Sequence, residues 1–344
     1  MKTVFISDEQ PIYKANLHCH STFSDGRRTP AQLKELYQAE GYSIVAYTDH
    51  EVLVDHPELN DENFLAMLGI EVGANRQDDP RSWRTNATFH INFFPRKSGQ
   101  DTMPCFNPKK VKFGKMFEEL RQSQKYIGTP DYQATYSNIQ DLIDRYYNEG
   151  FLVQINHPTW SVQTTADYTG LKHVFAMELY NHGCWVEGWE EDNSHVWDDL
   201  LRQGMHIFGT ACDDNHNGHP QDSRHWDSFG GFTMIQAKAL TQEAVTEALE
   251  YGNFYASTGP LFHNITLEDN TLKVHCSPVD KIYITGQYRS AKVAYPEPGQ
   301  NTLSEATFDL SGFFPGYARV TIVDQFGKQA WSQPFYNFPG NGNY

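Results

Sequence analysis

Three patterns in the chain predict a parallel α/β barrel over residues 1–259, followed by a small all-β unit over residues 260–344. Strand-like and helix-like segments alternate through the first three-quarters. Four short strings of histidines and carboxylates each end a strand-like run. Helical signals stop after Gly259-Pro260. Repeated strand–helix units imply parallel strands, and about seven or eight of them favour a barrel over an open sheet.

The strand candidates, in order, are Ala15–His20, Ile44–Asp49, Leu65–Val72, Phe89–Phe94, Phe151–Asn156, Val174–Tyr180, Ile207–Cys212 and Phe232–Ala237. Helices with clear punctuation lie between several of them. Thr29-Pro30-Ala31-Gln32 combines an N-cap, a proline at the first helical position and a capping-box glutamine, and Gly41 ends that helix. Ser137-Asn138-Ile139-Gln140 opens a second that closes at Gly150, and Thr241 a third that closes at Gly252. Beyond Pro260 the candidates are strands alone: Ile265–Leu267, Leu272–His275, Ile282–Thr285, Ala306–Leu310, Arg319–Val323 and a last one through Ala330–Trp331. Gly340–Tyr344 reads as a loose tail.

The four strings are His18-Cys19-His20 with Ser24-Asp25-Gly26, Thr48-Asp49-His50, Asn156-His157-Pro158 and Asp214-Asn215-His216. Side chains alternate along a strand, so His18 and His20 project to one side while Cys19 faces away as a small buried residue. Asp214 and His216 repeat that spacing. Imidazole nitrogens and carboxylate oxygens are the side-chain ligands of borderline divalent metals. Their placement at the C-terminal ends of barrel strands, where such barrels build active sites, points to a multinuclear metal centre and a hydrolase.

These strings, together with Gly69-Ile70-Glu71, resemble the ordered motifs of the PHP (polymerase and histidinol phosphatase) family. Tyr255-Ala256-Ser257-Thr258-Gly259-Pro260 and Ala330-Trp331-Ser332 resemble its two-domain, carbaryl-hydrolase-like (CehA/McbA) branch. The resemblance covers nearly the whole chain. It implies a distorted (β/α)7-type barrel and two or three divalent ions (zinc, manganese or iron). It implies His18, His20, Glu71 and Asp214 at the first metal position, with Glu71 bridging to a second completed by His90 and His157. Asp25, His50 and His216 would hold a third. His90, in Thr88-Phe89-His90-Ile91-Asn92, alternatively packs within the barrel, and Glu71 alternatively pairs with Arg76, Arg81 or Arg84. Glu71, Asp214 and His216 would be the catalytic residues, hydrolysis proceeding by a metal-activated hydroxide. Asp49 and Asp213 would orient ligands or cap turns.

The loops speak to substrate. Trp83, Trp160, Trp185, Trp189, Trp197 and Trp226 fall in or near segments that follow barrel strands, as an aromatic-walled pocket or as small loop cores. Arg76, Arg81 and Arg84 follow Glu71, and Lys109, Lys110, Lys112 and Lys115 lie between His90 and His157. The lysines read as solvated faces. Arg76, Arg84, His182, Arg224 and His225 are the candidate substrate-binding residues, for an anionic small molecule carrying a ring. The expected activity is hydrolysis of a small organic phosphate or nucleotide. The alternatives are hydrolysis of an ester or carbamate, and noncatalytic ligand binding by a vestigial barrel.

Composition narrows the partners. A formal net charge of −16 disfavours nucleic-acid polymers and anionic membranes. No run approaches the ~20 apolar residues of a membrane span. The apolar stretch at Thr3–Ile6 is too short for a signal-peptide core. Five cysteines with no close-paired framework suggest reduced thiols and a cytoplasmic setting.

Overall fold

The computed structural model describes residues 2–76, 86–114, 116–313 and 316–336. Its strands lie in a nine-stranded, a five-stranded, a four-stranded and a two-stranded sheet. The nine-stranded sheet carries, side by side, the strands Phe232–Gln236, Ile12–Asn16, Ile44–Tyr47 and Leu65–Leu68. The five-stranded sheet runs Phe208–Cys212, Ala176–Asn181, Phe151–Ile155, Thr88–Pro95 and Ile70–Asn75.

The expected closed barrel is not seen: the sheets are open. The seams between the two larger ones are spanned by single parallel bridges, Cys19 to Asn215 and His50 to Glu71. The strands are also not uniformly parallel. Thr88–Pro95 runs antiparallel to both neighbours, and Phe232–Gln236 antiparallel to Ile12–Asn16. One cause is local. Leu65–Val72, read as one strand, is two: Leu65–Leu68 pairs in one sheet and Ile70–Asn75 in the other. The chain crosses at Gly69, where a Cβ would lie 2.9 Å from Thr48 Cγ2 and 3.1 Å from the Phe94 ring.

Why these segments are strands is visible in their burial. Ile44–Tyr47 and Phe151–Ile155 are buried at every position, as strands covered on both faces must be. Leu17, Ile44, Phe94, Leu152, Cys212 and Ile235 meet in a buried apolar cluster to which both sheets contribute. The helices begin as their caps dictate. Thr29 and Gln32 close a capping box over Pro30–Ala39, and the Thr241 side chain accepts from Ala244 N ahead of Gln242–Glu250. The middle helix is Ile139–Asn148, opening within the expected Ser137–Gln140 stretch and preceded by a 3₁₀ turn, Tyr136–Asn138, whose capping box is Thr135 with Asn138. Short helices at Phe117–Ser123, Thr165–Tyr168, His182–Val186 and Ser194–Arg202 carried weaker signals.

From residue 260 to 336 the described elements are all strands. Gln329–Ser332 pairs with Phe254–Ser257, so the nine-stranded sheet continues into this region. The N-terminal strand Lys2–Ser7 also belongs with it, antiparallel to Phe262–Glu268. The tail expected over Gly340–Tyr344 lies outside the described residues. All five cysteines are unpaired and buried, and no described helix is long and apolar enough to cross a membrane.

A buried ion pair ties the C-terminal strands to the helix Ser194–Arg202. Arg319 grips Asp198 with two bonds, Nε to Oδ1 at 2.8 Å and Nη2 to Oδ2 at 2.7 Å. Tyr317 donates to the same carboxylate at 3.1 Å. Burial alone would raise the Asp198 pKa, but Arg319 and Tyr317 outweigh it and hold the group below the usual range. Its contribution to stability is therefore present above the ordinary carboxylate pKa and is lost as pH falls through the lowered value. Arg319→Ala, which strands Asp198 in the interior, should cost about 3–5 kcal/mol by urea unfolding near neutral pH. Arg319→Met with Asp198→Leu together should cost distinctly less.

Candidate metal centre

Strand ends bring the predicted ligands together. His18 and His20 follow Ile12–Asn16, His50 follows Ile44–Tyr47, His157 follows Phe151–Ile155, and Asp214 and His216 follow Phe208–Cys212. Glu71 and His90 lie within the facing strands Ile70–Asn75 and Thr88–Pro95. The chain turns sharply at two of these ends. His157 has φ 27° and Asp214 φ 52°, in the left-handed region that side chains seldom occupy. Both turns are pinned: Asp214 N donates to His18 O at 2.9 Å, and His157 N to Glu178 Oε2 at 2.8 Å. At Gly26 a Cβ would sit 2.2 Å from His20 O, so only glycine lets Asp25 come in beside His20.

Among the described residues, three sets have ligand atoms within 4.8 Å of one another: His18, His20 and Asp214; His50, Glu71 and His90; and His20, Asp25, His50 and His216. Glu71 is at the middle. Its Oε1 lies 3.1 Å from His90 Nδ1 and 3.3 Å from His18 Nε2, and its Oε2 lies 2.9 Å from His50 Nδ1 and 3.4 Å from His20 Nε2. This grouping differs from the expected one. His50 stands with Glu71 and His90 as well as with Asp25 and His216. His157 is outside all three sets, its Nε2 3.5 Å from Glu71 and 3.7 Å from Asp214.

The donor set fits divalent cations. Asp25 Oδ1, Glu71 Oε2 and Asp214 Oδ1 are buried and accept no hydrogen bond, a costly arrangement for carboxylates unless a cation completes it. Among the described residues, opposing charge from the surrounding imidazoles offsets part of that cost. Burial works against a charged His18, yet Asp214, Glu71 and Glu178 overcome it and hold the imidazole pKa at about 10. Burial likewise opposes ionisation of Glu71, and His18, His90 and His50 overcome it to keep that carboxyl well below its usual range. Metal would enter by displacing such protons.

On His18, His20 and His157 the second imidazole nitrogen is anchored, which aims the first. His18 Nδ1 lies 2.7 Å from Glu178 Oε1, His20 Nδ1 3.3 Å from Ser24 Oγ, and His157 Nδ1 3.1 Å from Ser161 Oγ. Asn156 donates to Glu71 at 2.9 Å and Asn181 to Asp214 at 3.1 Å. Asp49 acts through the turn, accepting from Ser24 Oγ at 2.6 Å and Ser21 N at 2.8 Å. Asp213 contacts no predicted ligand side chain. It holds the turn at Phe229, Gly230 and Gly231 through their N–H groups and takes a bond from Tyr37.

Glu178, Asn156 and Asn181 were not singled out as site residues. Their signal is a polar residue inside an otherwise apolar strand: each is fully buried in or beside runs such as Phe175-Ala176-Met177-Glu178-Leu179.

The candidate substrate contacts fare differently. Arg84 lies outside the described residues, as do Arg81, Trp83 and Lys115. Arg76 sits over the Tyr136 ring at 5.1 Å. His182 bonds Tyr180 Oη at 3.0 Å, and Arg224 and His225 are exposed, His225 reaching Val186 O. Lys110 is not a solvated side chain but a clamp, donating to Gly73 O and Ala134 O. Among the loop tryptophans that are described, Trp160 alone has ring contact with predicted ligands. Trp197 is a core residue, Trp226 is buried against Phe229, and Trp185 and Trp189 are exposed. His263 and His275 pair with each other on the C-terminal strands, away from the three sets.

No protein-family profile matches the chain. A 5'-3' exoribonuclease of Haemophilus influenzae is 24% identical over 162 residues, which is 46% of this chain and 57% of that relative's length. A two-domain protein from Bacteroides vulgatus, described as containing a predicted PHP-like metal-dependent phosphoesterase, aligns in structure with TM-score 0.45 and 14% identity over 93% of this chain and 92% of its own. An amidohydrolase from Chromobacterium violaceum, with bound sulfate and no metal, aligns with TM-score 0.36 and 15% identity over 59% of this chain and 87% of its own.

Two outcomes are expected of metal titrations. Glu178→Ala should weaken the tightest divalent site by roughly 10–100-fold, because His18 loses the partner that aims Nε2. Affinity in the wild type should rise with pH across the neutral range, since the raised imidazole pKa values make protons compete with the cation. Calorimetry in buffers of different ionisation enthalpy measures both.

Proposed function

We propose that the chain is a metal-dependent hydrolase of phosphate esters, acting on a small organic phosphate or nucleotide. The observation that carries this reading is the convergence of His18, His20, Asp25, His50, Glu71, His90, His157, Asp214 and His216 around three donorless buried carboxylate oxygens. A vestigial binding fold would not need so complete a set. Bound divalent cations would supply Lewis acidity and an acidified water, so no serine or cysteine nucleophile is required.

The chain's own residues do the rest. Glu71 and Asp214, kept ionised at the centre, compensate the cations, and Asn156 and Asn181 fix how those carboxylates point. The site is closed at one end and open at the other. The side chains of His18, His20 and Glu71 are inaccessible, whereas Asp25 is 29% and His216 36% exposed. The scissile group would approach from that open side. The ordered motifs, and the nuclease name of the curated relative, support phosphoester chemistry over other hydrolysis.

One observation favours the ester or carbamate alternative. Of the described arginines among the expected phosphate contacts, Arg76 lies over the Tyr136 ring and Arg224 is exposed, and among the described residues neither has a contact with a predicted ligand.

Elemental analysis of protein purified without chelator, with anomalous scattering, should find two or three ions, and a single ion under metal-replete conditions would rule out the multinuclear site. Asp214→Asn and His20→Ala should each lower kcat by at least ~1000-fold while leaving the circular dichroism spectrum unchanged. Comparing kcat/KM for matched aryl phosphates and aryl acetates separates the two chemistries. A wide preference for the acetate would transfer the assignment to the esterase.

A further inference from the structure

Two aromatic side chains flank the candidate centre. The Trp160 ring lies 4.9 Å from that of His157 and 5.3 Å from that of His90. Phe113 stands 6.0 Å from His50 on the other flank, and His50 and His90 are themselves 5.6 Å apart. The four rings thus run Phe113, His50, His90, Trp160 past Glu71. Phe113 is 49% exposed and Trp160 is only partly buried, so each keeps ring surface free beside the place where a scissile group would bind.

Both positions are built. Trp160 N donates at 2.5 Å to Oε1 of Glu191, a fully buried carboxylate from a separate loop. The other Glu191 oxygen takes Asn193 Nδ2 at 2.6 Å, and Asn193 in turn accepts from Thr159 Oγ1 at 2.9 Å. Thr159 and Trp160 are therefore fixed by one network, and neighbouring Ser161 anchors His157. Phe113 is set by Gly114, which has φ 86° and packs so closely that a Cβ there would lie 2.9 Å from Phe23 O and 3.0 Å from Thr22 O. That contact ties Phe113 to the loop leaving His20. An ordered aromatic ring offers contact area at little conformational cost, and its face suits another flat ring.

We propose that Trp160 and Phe113 are the specificity-determining residues of the site: each offers a ring face on its own flank, Trp160 the principal one, against which a planar ring carried on the ester packs, so that ring-bearing phosphate esters bind in preference to aliphatic ones. The proposal rests on the phosphoesterase reading for the identity of the anchored group, and on Trp160 and Phe113 for the ring. Stacking of this kind on a protein aromatic side chain amounts to roughly ten-fold or more in affinity.

Binding of phenylphosphonate and methylphosphonate to the metal-loaded protein, measured by calorimetry, tests it without any turnover. The wild type should hold phenylphosphonate at least about ten-fold more tightly. Trp160→Ala should bring the two within about two-fold, Trp160→Phe should keep most of the preference, and Phe113→Ala should reduce it by about three-fold. If the alanine variant at 160 fails to fold, Trp160→Leu, which keeps apolar bulk without a flat face, decides in its place. A wild-type ratio near one, a ratio unmoved by both the Trp160 and Phe113 variants, or no binding of either phosphonate overturns the proposal. The underlying reading fails separately. A ring preference in binding with no hydrolysis of phenyl phosphate leaves the aromatic assignment standing and removes the phosphoesterase. Hydrolysis of phenyl phosphate with a binding ratio near one does the reverse.

Discussion

The structure turns on a buried carboxylate. Glu71 is wholly inaccessible, and its oxygens lie within 3.5 Å of nitrogens from His18, His20, His50, His90 and His157. Desolvating such a group costs several kcal/mol unless positive charge meets it. Imidazoles meet that need in two ways, as imidazolium when protonated and as cation ligands when neutral. The second use leaves a site anionic enough to hold divalent ions, and the donorless oxygens of Asp25, Glu71 and Asp214 mark where they would go. The long-range polar contacts nearby follow from keeping this cluster in place. Glu178 reaches across 160 residues of sequence to aim His18, and Asn16 ties its own strand to Asn215 and to the Asp213 backbone.

That cluster also explains why the sheets do not close. Both seams between them are single bridges, and both fall at predicted ligands or their neighbours, Cys19 to Asn215 and His50 to Glu71. A continuous ladder would hold these strand ends in extended geometry. The observed ends instead turn through left-handed residues at Glu51, His157 and Asp214, which swings the side chains inward. The gap in hydrogen bonding and the gathering of ligands are two aspects of one arrangement.

How much of this was legible in the sequence depended on periodicity. The convergence of His18 with His20 and of Asp214 with the histidines was legible in their H-x-H and D-x-H spacing at strand ends, because alternation places such pairs on one face. The grouping was not. His50 is central to two sets, and nothing in Thr48-Asp49-His50 says which strands it will neighbour across a seam. The strand break at Gly69 was hidden for a similar reason: Leu65 to Val72 is apolar apart from Gly69 and Glu71, and a run buried on both sides shows no alternation to interrupt. Glu178, Asn156 and Asn181 were visible as polar residues in buried strands, but their partners lie far away in sequence. The loop arginines misled because charge near a motif in sequence says little about direction in space. Arg76 follows Glu71 by five positions, yet its guanidinium lies on Tyr136.

Among the described residues, the C-terminal strands bear on the site through the backbone rather than by side chains in it. Gln329–Ser332 hydrogen-bonds to Phe254–Ser257, that strand to Phe232–Gln236, and that one to Ile12–Asn16, from which His18 and His20 emerge. The strand carrying two of the nine predicted ligands is thus an interior member of a sheet whose far side the C-terminal region supplies. Removing that region would leave Phe254–Ser257 with an unpaired edge and would uncover Tyr255, which is buried among C-terminal residues such as Phe262 and Ile265. A side chain aimed to within a fraction of an ångström needs a backbone that does not move. An interior strand, held on both edges, provides it where an edge strand would not. The all-β region thus extends the sheet beneath the predicted ligands, and its contribution is to the backbone that carries them.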